Sequence, residues 1–208
     1  MIKTELFINS IKKFKETEKR GSFYDMACKL LENNYEIEGY TLILATWNFA
    51  RFRYFVKYFD INGFKETIYR LNPFFEKFIG MEFRNIDFDN YKNDISIIFK
   101  TLSSIPGIEF TGASKIMYLK NRKVFLMWDS YIKGEKSPKK YYYELDIVKK
   151  GFWEVKKYNN NWKSYLQFLK DMKSLYKNIV YQEKERTFAK AIDEFNYLNI
   201  TIPFQKKL

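Results

Sequence analysis

A Pro-Gly turn between two apolar segments, followed by an aspartate, is the part of this sequence best suited to chemistry. The turn is Ile105-Pro106-Gly107-Ile108, and the small residues that follow are typical of a helix start. A hairpin between two short helices directs backbone N–H groups beyond the N-terminus of its second helix, where a phosphate can bind. Asp129 follows one short helix and one loop later, so a carboxylate could lie beside the same ligand.

The composition favours a polyanion as that ligand. The 208 residues carry 37 lysines and arginines against 25 acidic residues, for a formal net charge of +12. Such an excess favours nucleic acid or an acidic membrane surface. The alternative is a lysine-rich solvated surface that reflects an AT-rich genome. Hydrophobic residues make up 46% of the chain, so we expect a folded protein.

The cysteine and histidine content excludes several kinds of site. Cys28 is the only cysteine, and the chain has no histidine. These counts exclude an internal disulfide, iron–sulfur clusters, Cys/His zinc sites and Ser-His-Asp triads. No cofactor is expected, and proton chemistry would use carboxylates, lysine, tyrosine or water. Asp87 and Asp89 are better suited to capping the N-terminus of a helix than to binding a metal ion.

Apolar residues recur three and four positions apart along most of the chain, which predicts an all-α protein. The predicted helices cover residues 6–14, 22–32 (with Ser22 as N-cap), 41–58, 64–78 (with a break at Pro73), 91–102, 111–119, 162–185 and 187–197. Gly63 is predicted to mark a turn, and residues 133–140 a polar, basic loop. Since no linker divides the chain, we expect one domain over 1–208, with a hairpin core at about 91–132. No apolar run is long enough to span a membrane and the N-terminus is not signal-like, so a cytoplasmic location is expected.

Residues 98–132 resemble the helix-hairpin-helix core of the DNA glycosylase superfamily. That motif reads Leu-Pro-Gly-Val-Gly-x-Lys-x-Ala and, past a helix and a loop, Val-Asp-Thr-His-Val. Here Ile105-Pro106-Gly107-Ile108 matches the start, and Ala113 falls at the family's alanine. Asp129-Ser130-Tyr131-Ile132 takes the place of Asp-Thr-His-Val, and the separation of 23 residues from Pro106 to Asp129 matches that of the family.

The resemblance implies a fold of two helical lobes around a basic groove. It also implies hydrolysis of the N-glycosidic bond of a flipped, damaged base in double-stranded DNA. Asp129 would stabilise an oxocarbenium-like sugar or activate water. The lysine that bifunctional members use as a nucleophile is replaced by a threonine, so the enzyme would be monofunctional. The hairpin residues that would hold the phosphate are Gly107, Ile108, Thr111 and Gly112.

Other cations and aromatic rings could complete the site. Trp47, Arg51 and Tyr54 share one face of the predicted 41–58 helix and could stack on an extruded base or hold a phosphate. A core helix with packed aromatic rings is the alternative. The lysines that could contact backbone phosphates are Lys115, Lys136, Lys139 and Lys140, although each could also be a solvated surface charge.

Other interpretations of the same residues stay open. Asp129 could cap a helix that begins near Ser130. Glu109, where the motif has a glycine, and Thr111 favour a catalytically silent relative that only binds DNA or RNA. A structural helical domain with a protein partner is a third possibility, and it predicts no salt-dependent binding of nucleic acid.

Overall fold

The computed structural model describes residues 2–19, 21–136, 138–182 and 186–206. These residues form helices and turns and contain no β-strand, which confirms the all-α prediction. None of their helices is long and apolar enough to cross a membrane. In chain order the helices are α1 (Thr4–Thr17), α2 (Gly21–Glu32), α3 (Glu36–Trp47), α4 (Phe49–Lys57), α5 (Ile61–Glu76), α6 (Lys92–Ser103), α7 (Glu109–Lys120), a 3₁₀ helix (Lys139–Glu144), α8 (Asp146–Lys149), α9 (Trp162–Tyr176), α10 (Phe188–Asn196), a π-helical turn (Tyr197–Thr201) and α11 (Ile202–Gln205).

The chain forms two compact units. The central unit is Lys19–Met127, and the terminal unit combines Met1–Glu18 with Trp128–Leu208. The predicted hairpin core at 91–132 therefore crosses a unit boundary. The hairpin belongs to the central unit and Asp129 to the terminal unit.

Helix α7 runs through the core of the central unit. All of its residues from Gly112 to Leu119 are buried, and it packs against α2, α3 and α6. The hydroxyl groups of Tyr24 and Tyr118 lie 2.8 Å apart and link α2 to α7. A helix that is buried around its whole circumference has no solvated face, so even Ser114 and Lys115 lie inside. Cys28 is buried in α2, which confirms the prediction that it is a core residue.

The helix predicted over 41–58 is two helices in the structure. α3 ends at Trp47 and α4 begins at Phe49 because Asn48 leaves helical geometry, with φ −129° and ψ 30°. The buried Asn48 side chain donates Nδ2–H groups to the carbonyl oxygens of Gly107 and Ile108, at 3.2 and 3.4 Å. These contacts with the hairpin turn hold the junction between the two helices.

The helix predicted over 64–78 begins earlier and passes through its predicted break points. Asp60 caps α5 by accepting the backbone N–H of Asn62 at 3.0 Å. A Cβ atom on Gly63 would lie 2.6 Å from the Asp60 carboxylate, so this glycine makes room for the cap and marks no turn. Pro73 lies in the last turn of α5, and the helix continues to Glu76 although proline lacks the N–H for one helical hydrogen bond.

Two of the predicted N-terminal caps are wrong. Ser22 lies inside the first turn of α2, where its hydroxyl donates to the Lys19 carbonyl at 3.0 Å. At α6 the N-cap residue is Tyr91, whose side chain makes no capping hydrogen bond. Asp87 instead accepts the backbone N–H of Asp89 at 3.1 Å and closes a local turn. The described part of the chain has no group of three or more acidic or cysteine side chains that could hold a metal ion.

The terminal unit is built around aromatic rings. The fully buried Phe7 of α1 lies 5.4 to 5.6 Å, between ring centres, from Phe195 of α10 and Tyr176 of α9. α9 ends at Tyr176, before the predicted end at 185, and residues 183–185 lie outside the described part of the chain. α10 covers Phe188–Asn196, close to the predicted 187–197, and Thr187 is its N-cap. The π-helical turn and α11 were not predicted.

Candidate nucleic-acid interface

The predicted hairpin is present between α6 and α7, and Gly107 and Ile108 of its turn are buried whereas Pro106 is exposed. Gly107 has φ +80°, a conformation that glycine adopts far more readily than other residues. A Cβ atom at this position would lie 2.1 Å from the backbone nitrogen of Phe55 and 2.5 Å from its Cα atom. The backbone of α4 therefore packs directly on the hairpin turn.

The polar groups of the turn are used within the protein. The Ile108 N–H donates to the Ile105 carbonyl at 3.1 Å, and the Gly112 N–H donates to the Ile108 carbonyl at 2.9 Å. Gly107, Ile108 and Gly112 are all buried. Residues of α3 and α4 lie against Gly107 and Gly112, and the predicted phosphate contact of these three buried residues stays a prediction. Thr111 is half-buried, and its predicted DNA contact stays a prediction.

Glu109, at the position of the motif's second glycine, adopts φ +50°, which is a strained conformation for a residue with a side chain. Its carboxylate lies at the N-terminus of α7, where the helix dipole favours a negative charge. The carboxylate pairs with Nε of Arg51 at 3.3 Å, and both side chains are exposed. The Glu109 carboxylate therefore lies beside the Arg51 guanidinium, which was predicted to hold a phosphate.

Lys115 differs most from its predicted role. It is only 4% exposed, and its Nζ donates to the backbone carbonyl of Trp47. Trp47 is the last residue of α3, where a cation is favoured by the helix dipole and by the unsatisfied carbonyl groups. The interpretation of Lys115 as a solvated surface charge is therefore wrong, and its predicted phosphate contact stays a prediction. In the structure this lysine joins α7 to the end of α3.

The predicted base pocket does not lie on one helix. The break at Asn48 places Trp47 in α3, where it is half-buried, and Arg51 and Tyr54 in α4. Tyr54 is exposed and pairs with the neighbouring Arg53, whose guanidinium lies 4.9 Å from the centre of the tyrosine ring. The prediction that Trp47, Arg51 and Tyr54 share one helix face is therefore wrong.

Asp129, in the terminal unit, is held by three hydrogen bonds. Its Oδ1 accepts the backbone N–H groups of Tyr131 and Ile132, both at 2.8 Å, and its Oδ2 accepts the Thr201 hydroxyl at 2.7 Å. The Asp129 carbonyl also accepts the N–H of Lys133 at 3.0 Å. Residues 130–134 form a turn and not a helix, so Asp129 caps a turn where one interpretation predicted that it caps a helix. Its catalytic role stays a prediction.

The predicted basic loop is only partly solvated. Lys133 is buried and pairs with Glu135 at 2.8 Å. Lys136 is half-buried, and its backbone N–H donates to the Tyr142 hydroxyl at 3.2 Å. Burial raises the pKa of Tyr142 to about 12. The remaining predicted contacts, Lys139 and Lys140, are exposed, and Nζ of Lys140 lies 5.6 Å from the ring centre of Tyr141.

Beyond the predicted Arg51 and Tyr54, the structure shows further exposed aromatic, apolar and basic residues on and next to α4 that the sequence analysis did not select. Phe49 is 78% exposed, Tyr58 59% and Val56 57%, and Phe55 is the only buried residue of α4. Nζ of Lys57 lies 5.2 Å from the ring centre of Tyr58. Residues 48–59 include three basic residues and no acidic one. Alternation of aromatic and basic residues was the available signal, but helical spacing alone suggested that the rings were core.

Comparison with protein-family models, with curated proteins and with solved structures finds no match to this chain. A function for this protein therefore has to be inferred from the contacts and exposures described above.

Proposed function

We propose that this protein binds nucleic acid through exposed cations that lie beside aromatic rings, and that the hairpin acts as a scaffold. The observation that carries this proposal is a set of cation–ring pairs at the surface. Arg53 pairs with Tyr54 and Lys57 with Tyr58 on α4. Such cations neutralise backbone phosphates, and the rings can stack on bases. The buried hairpin residues support binding without catalysis over the enzymatic alternative.

The 3₁₀ helix of the terminal unit supplies a second, separate set of exposed cations. Lys139 and Lys140 are both exposed there. Each phosphate contact releases counterions, so affinity falls as the salt concentration rises. The combined change Lys139→Gln/Lys140→Gln should reduce the slope of log affinity against log salt by about 0.7 to 0.9 for each lysine that contacts a phosphate. Lys29→Gln, an exposed lysine on α2, is the matched control.

Fluorescence anisotropy of labelled oligonucleotides across a salt series tests the proposal. Salt-sensitive binding is the expected result. Absence of such binding for single strands, duplex DNA and RNA would contradict it and would favour a helical domain with a protein partner.

Base excision is the second candidate function. For this function the resemblance implies a glycosylase-like fold of two lobes around a basic groove. It is favoured by Asp129, whose carboxylate is oriented by three hydrogen bonds yet is only half-buried. In the family that Asp129 and the hairpin resemble, such an aspartate can cap a helix and take part in catalysis. The buried hairpin glycines are the evidence against this candidate.

The two candidates predict different results for Asp129→Asn. Duplex oligonucleotides would each carry one oxidised purine, alkylated purine, uracil or mismatched adenine, and hot alkali would reveal base release. Release by the wild type that is lost in Asp129→Asn and kept in Asp87→Asn, a matched change at an exposed turn, would support the glycosylase. If no base is released but salt-sensitive binding is intact, the result would support nucleic-acid binding without base excision.

A further inference from the structure

We infer that the exposed face of α4 binds unpaired bases of a single-stranded nucleic acid. This inference rests on the proposed nucleic-acid binding and adds the surface and the substrate class. The residues of this α4 surface are Phe49, Arg53, Tyr54, Val56, Lys57 and Tyr58.

The exposure of the α4 surface is unusual for its composition. A phenylalanine that is 78% exposed and a valine on the same helix at 57% leave much apolar area in water. Large exposed apolar patches mark interaction sites in soluble proteins, and here Phe49, Tyr54, Val56 and Tyr58 are all exposed within one short segment. The α4 surface therefore has the character of a surface that a ligand covers.

Aromatic and basic side chains alternate around the exposed part of α4. Phe49, Arg53 and Val56 are spaced i, i+4 and i+7, which places the arginine between two apolar side chains on one face. Tyr54 and Tyr58 are spaced i and i+4 on a neighbouring face. A helix of nine residues is about 13 Å long, which is enough to contact two or three nucleotides.

The surface is held in place from the other side of the helix. The buried Phe55 ring lies 4.7 Å from Phe59 and 5.5 Å from Phe64, between ring centres. The backbone at Phe55 rests on Gly107 of the hairpin turn. Since α4 is already ordered by these contacts, a ligand does not bear the entropic cost of ordering it.

The arrangement favours single strands over duplexes. An aromatic side chain can stack only on a base whose face is accessible, and in a duplex both faces are covered by neighbouring bases. Stacking on aromatic rings combined with nearby cations is the usual mode of binding single strands without sequence preference. The α4 surface supplies both types of group and has no acidic residue.

The same arrangement fits a membrane surface less well. Helices that lie in a membrane interface have one continuous apolar face and an opposite charged face. In α4, Arg53 lies between Phe49 and Val56 on one face, so insertion of that face would bury a guanidinium among lipid chains. Sedimentation with acidic vesicles distinguishes membrane binding from binding of a single strand.

Anisotropy titrations of the full-length protein with a labelled oligothymidine and with a duplex of equal length test the inference. The variants are Phe49→Ala and Tyr58→Ala, with Tyr69→Ala on α5 as a control, because Tyr69 is 77% exposed and lies outside the surface. Each α4 variant should weaken single-strand binding about fivefold or more, from the measured range of base-stacking effects. The affinity of both α4 variants for the duplex should stay unchanged. The affinity of Tyr69→Ala for the single strand should also stay unchanged. Thermal unfolding of all variants should match the wild type, because these rings are exposed.

Three outcomes overturn the inference in distinguishable ways. Absence of salt-sensitive binding to either oligonucleotide by the wild type removes the proposed function itself. Single-strand binding that is unchanged in both α4 variants leaves the proposed function in place but moves the site elsewhere. Sedimentation with phosphatidylserine vesicles that Phe49→Ala abolishes, without any change in oligonucleotide affinity, would assign α4 to a membrane surface.

Discussion

Replacement of Gly107 by alanine should destabilise the protein strongly. The added Cβ atom would lie 2.1 Å from the Phe55 nitrogen and 2.5 Å from the Phe55 Cα atom. These are backbone atoms of α4, so no side-chain rotation can relieve the overlap. Either the hairpin turn or α4 must move.

The magnitude has two parts. Alanine at φ +80° costs about 1–2 kcal/mol because the left-handed conformation is unfavourable for L-residues. Overpacking of a close contact adds about 1–3 kcal/mol. We therefore expect Gly107→Ala to lower the free energy of unfolding by roughly 2–5 kcal/mol.

Gly80→Ala isolates the conformational part. Gly80 has φ +78°, and a Cβ atom on this residue would have no other atom within 4 Å. This variant should therefore cost only about 1–2 kcal/mol. Urea unfolding followed by far-ultraviolet circular dichroism gives both free energies by linear extrapolation.

The comparison can refute the packing of α4 on the turn. If the hairpin turn were open, as a phosphate site requires, Gly107→Ala and Gly80→Ala would cost the same. Equal losses would show that α4 does not rest on the turn, and the scaffold role of the hairpin would fail.

Three further predictions concern buried polar groups. Asn48→Ala should cost about 1–3 kcal/mol of unfolding free energy in the same urea assay, because two buried carbonyl groups of the hairpin lose their donor; a neutral result would contradict the proposed junction. Lys115→Met should lower the free energy of unfolding by a similar amount. It should leave the salt dependence of nucleic-acid binding unchanged, since this lysine is buried. If the slope of log affinity against log salt fell by the equivalent of about one phosphate contact, the result would support the predicted phosphate role of Lys115. Burial raises the pKa of Tyr24 well above its ordinary value, so its contribution to stability should be full below pH about 10 and be lost as the pH rises further. Urea unfolding at stepped alkaline pH should show a smaller loss for Tyr24→Phe than for the wild type, and identical losses would argue against the burial effect.

The periodicity of apolar residues predicted the all-α class and several helices well. Local signals decide such features, as at Thr187, which caps α10 by accepting the Lys190 N–H at 3.2 Å. The break at Asn48 could not be predicted in this way. Its cause is a pair of hydrogen bonds to a turn 59 and 60 residues away, and the apolar spacing continues across it.

The candidate site shows the same division between local and distant causes. The Pro-Gly turn was predicted, because it depends on neighbouring residues. Asp129 was also expected to accept the N–H groups that follow it, although these lie in a turn and not in the expected helix. The burial of Lys115 and of the hairpin depends on packing against α3 and α4, which the sequence pattern does not reveal. The run of small residues Gly112-Ala113-Ser114 was a signal of close helix packing, since a Cβ atom on Gly112 would lie 3.0 Å from a Leu44 methyl group.

The exposure of Phe49 is the feature that sequence reasoning missed most clearly. An aromatic residue at helical spacing is usually part of a core. Here one short helix buries a single ring, that of Phe55; Phe52 is half-buried, and the other residues of α4 are exposed. The shift in register that follows the break at Asn48 contributes to this outcome.

Photochemical cross-linking tests most directly where nucleic acid binds. A single-stranded oligonucleotide that contains iodouracil would be irradiated with the full-length protein, and mass spectrometry would identify the modified residues. Binding at the α4 surface predicts adducts on Phe49, Tyr54 or Tyr58. Adducts confined to residues 105–112 of the hairpin, or to Trp47, would contradict it.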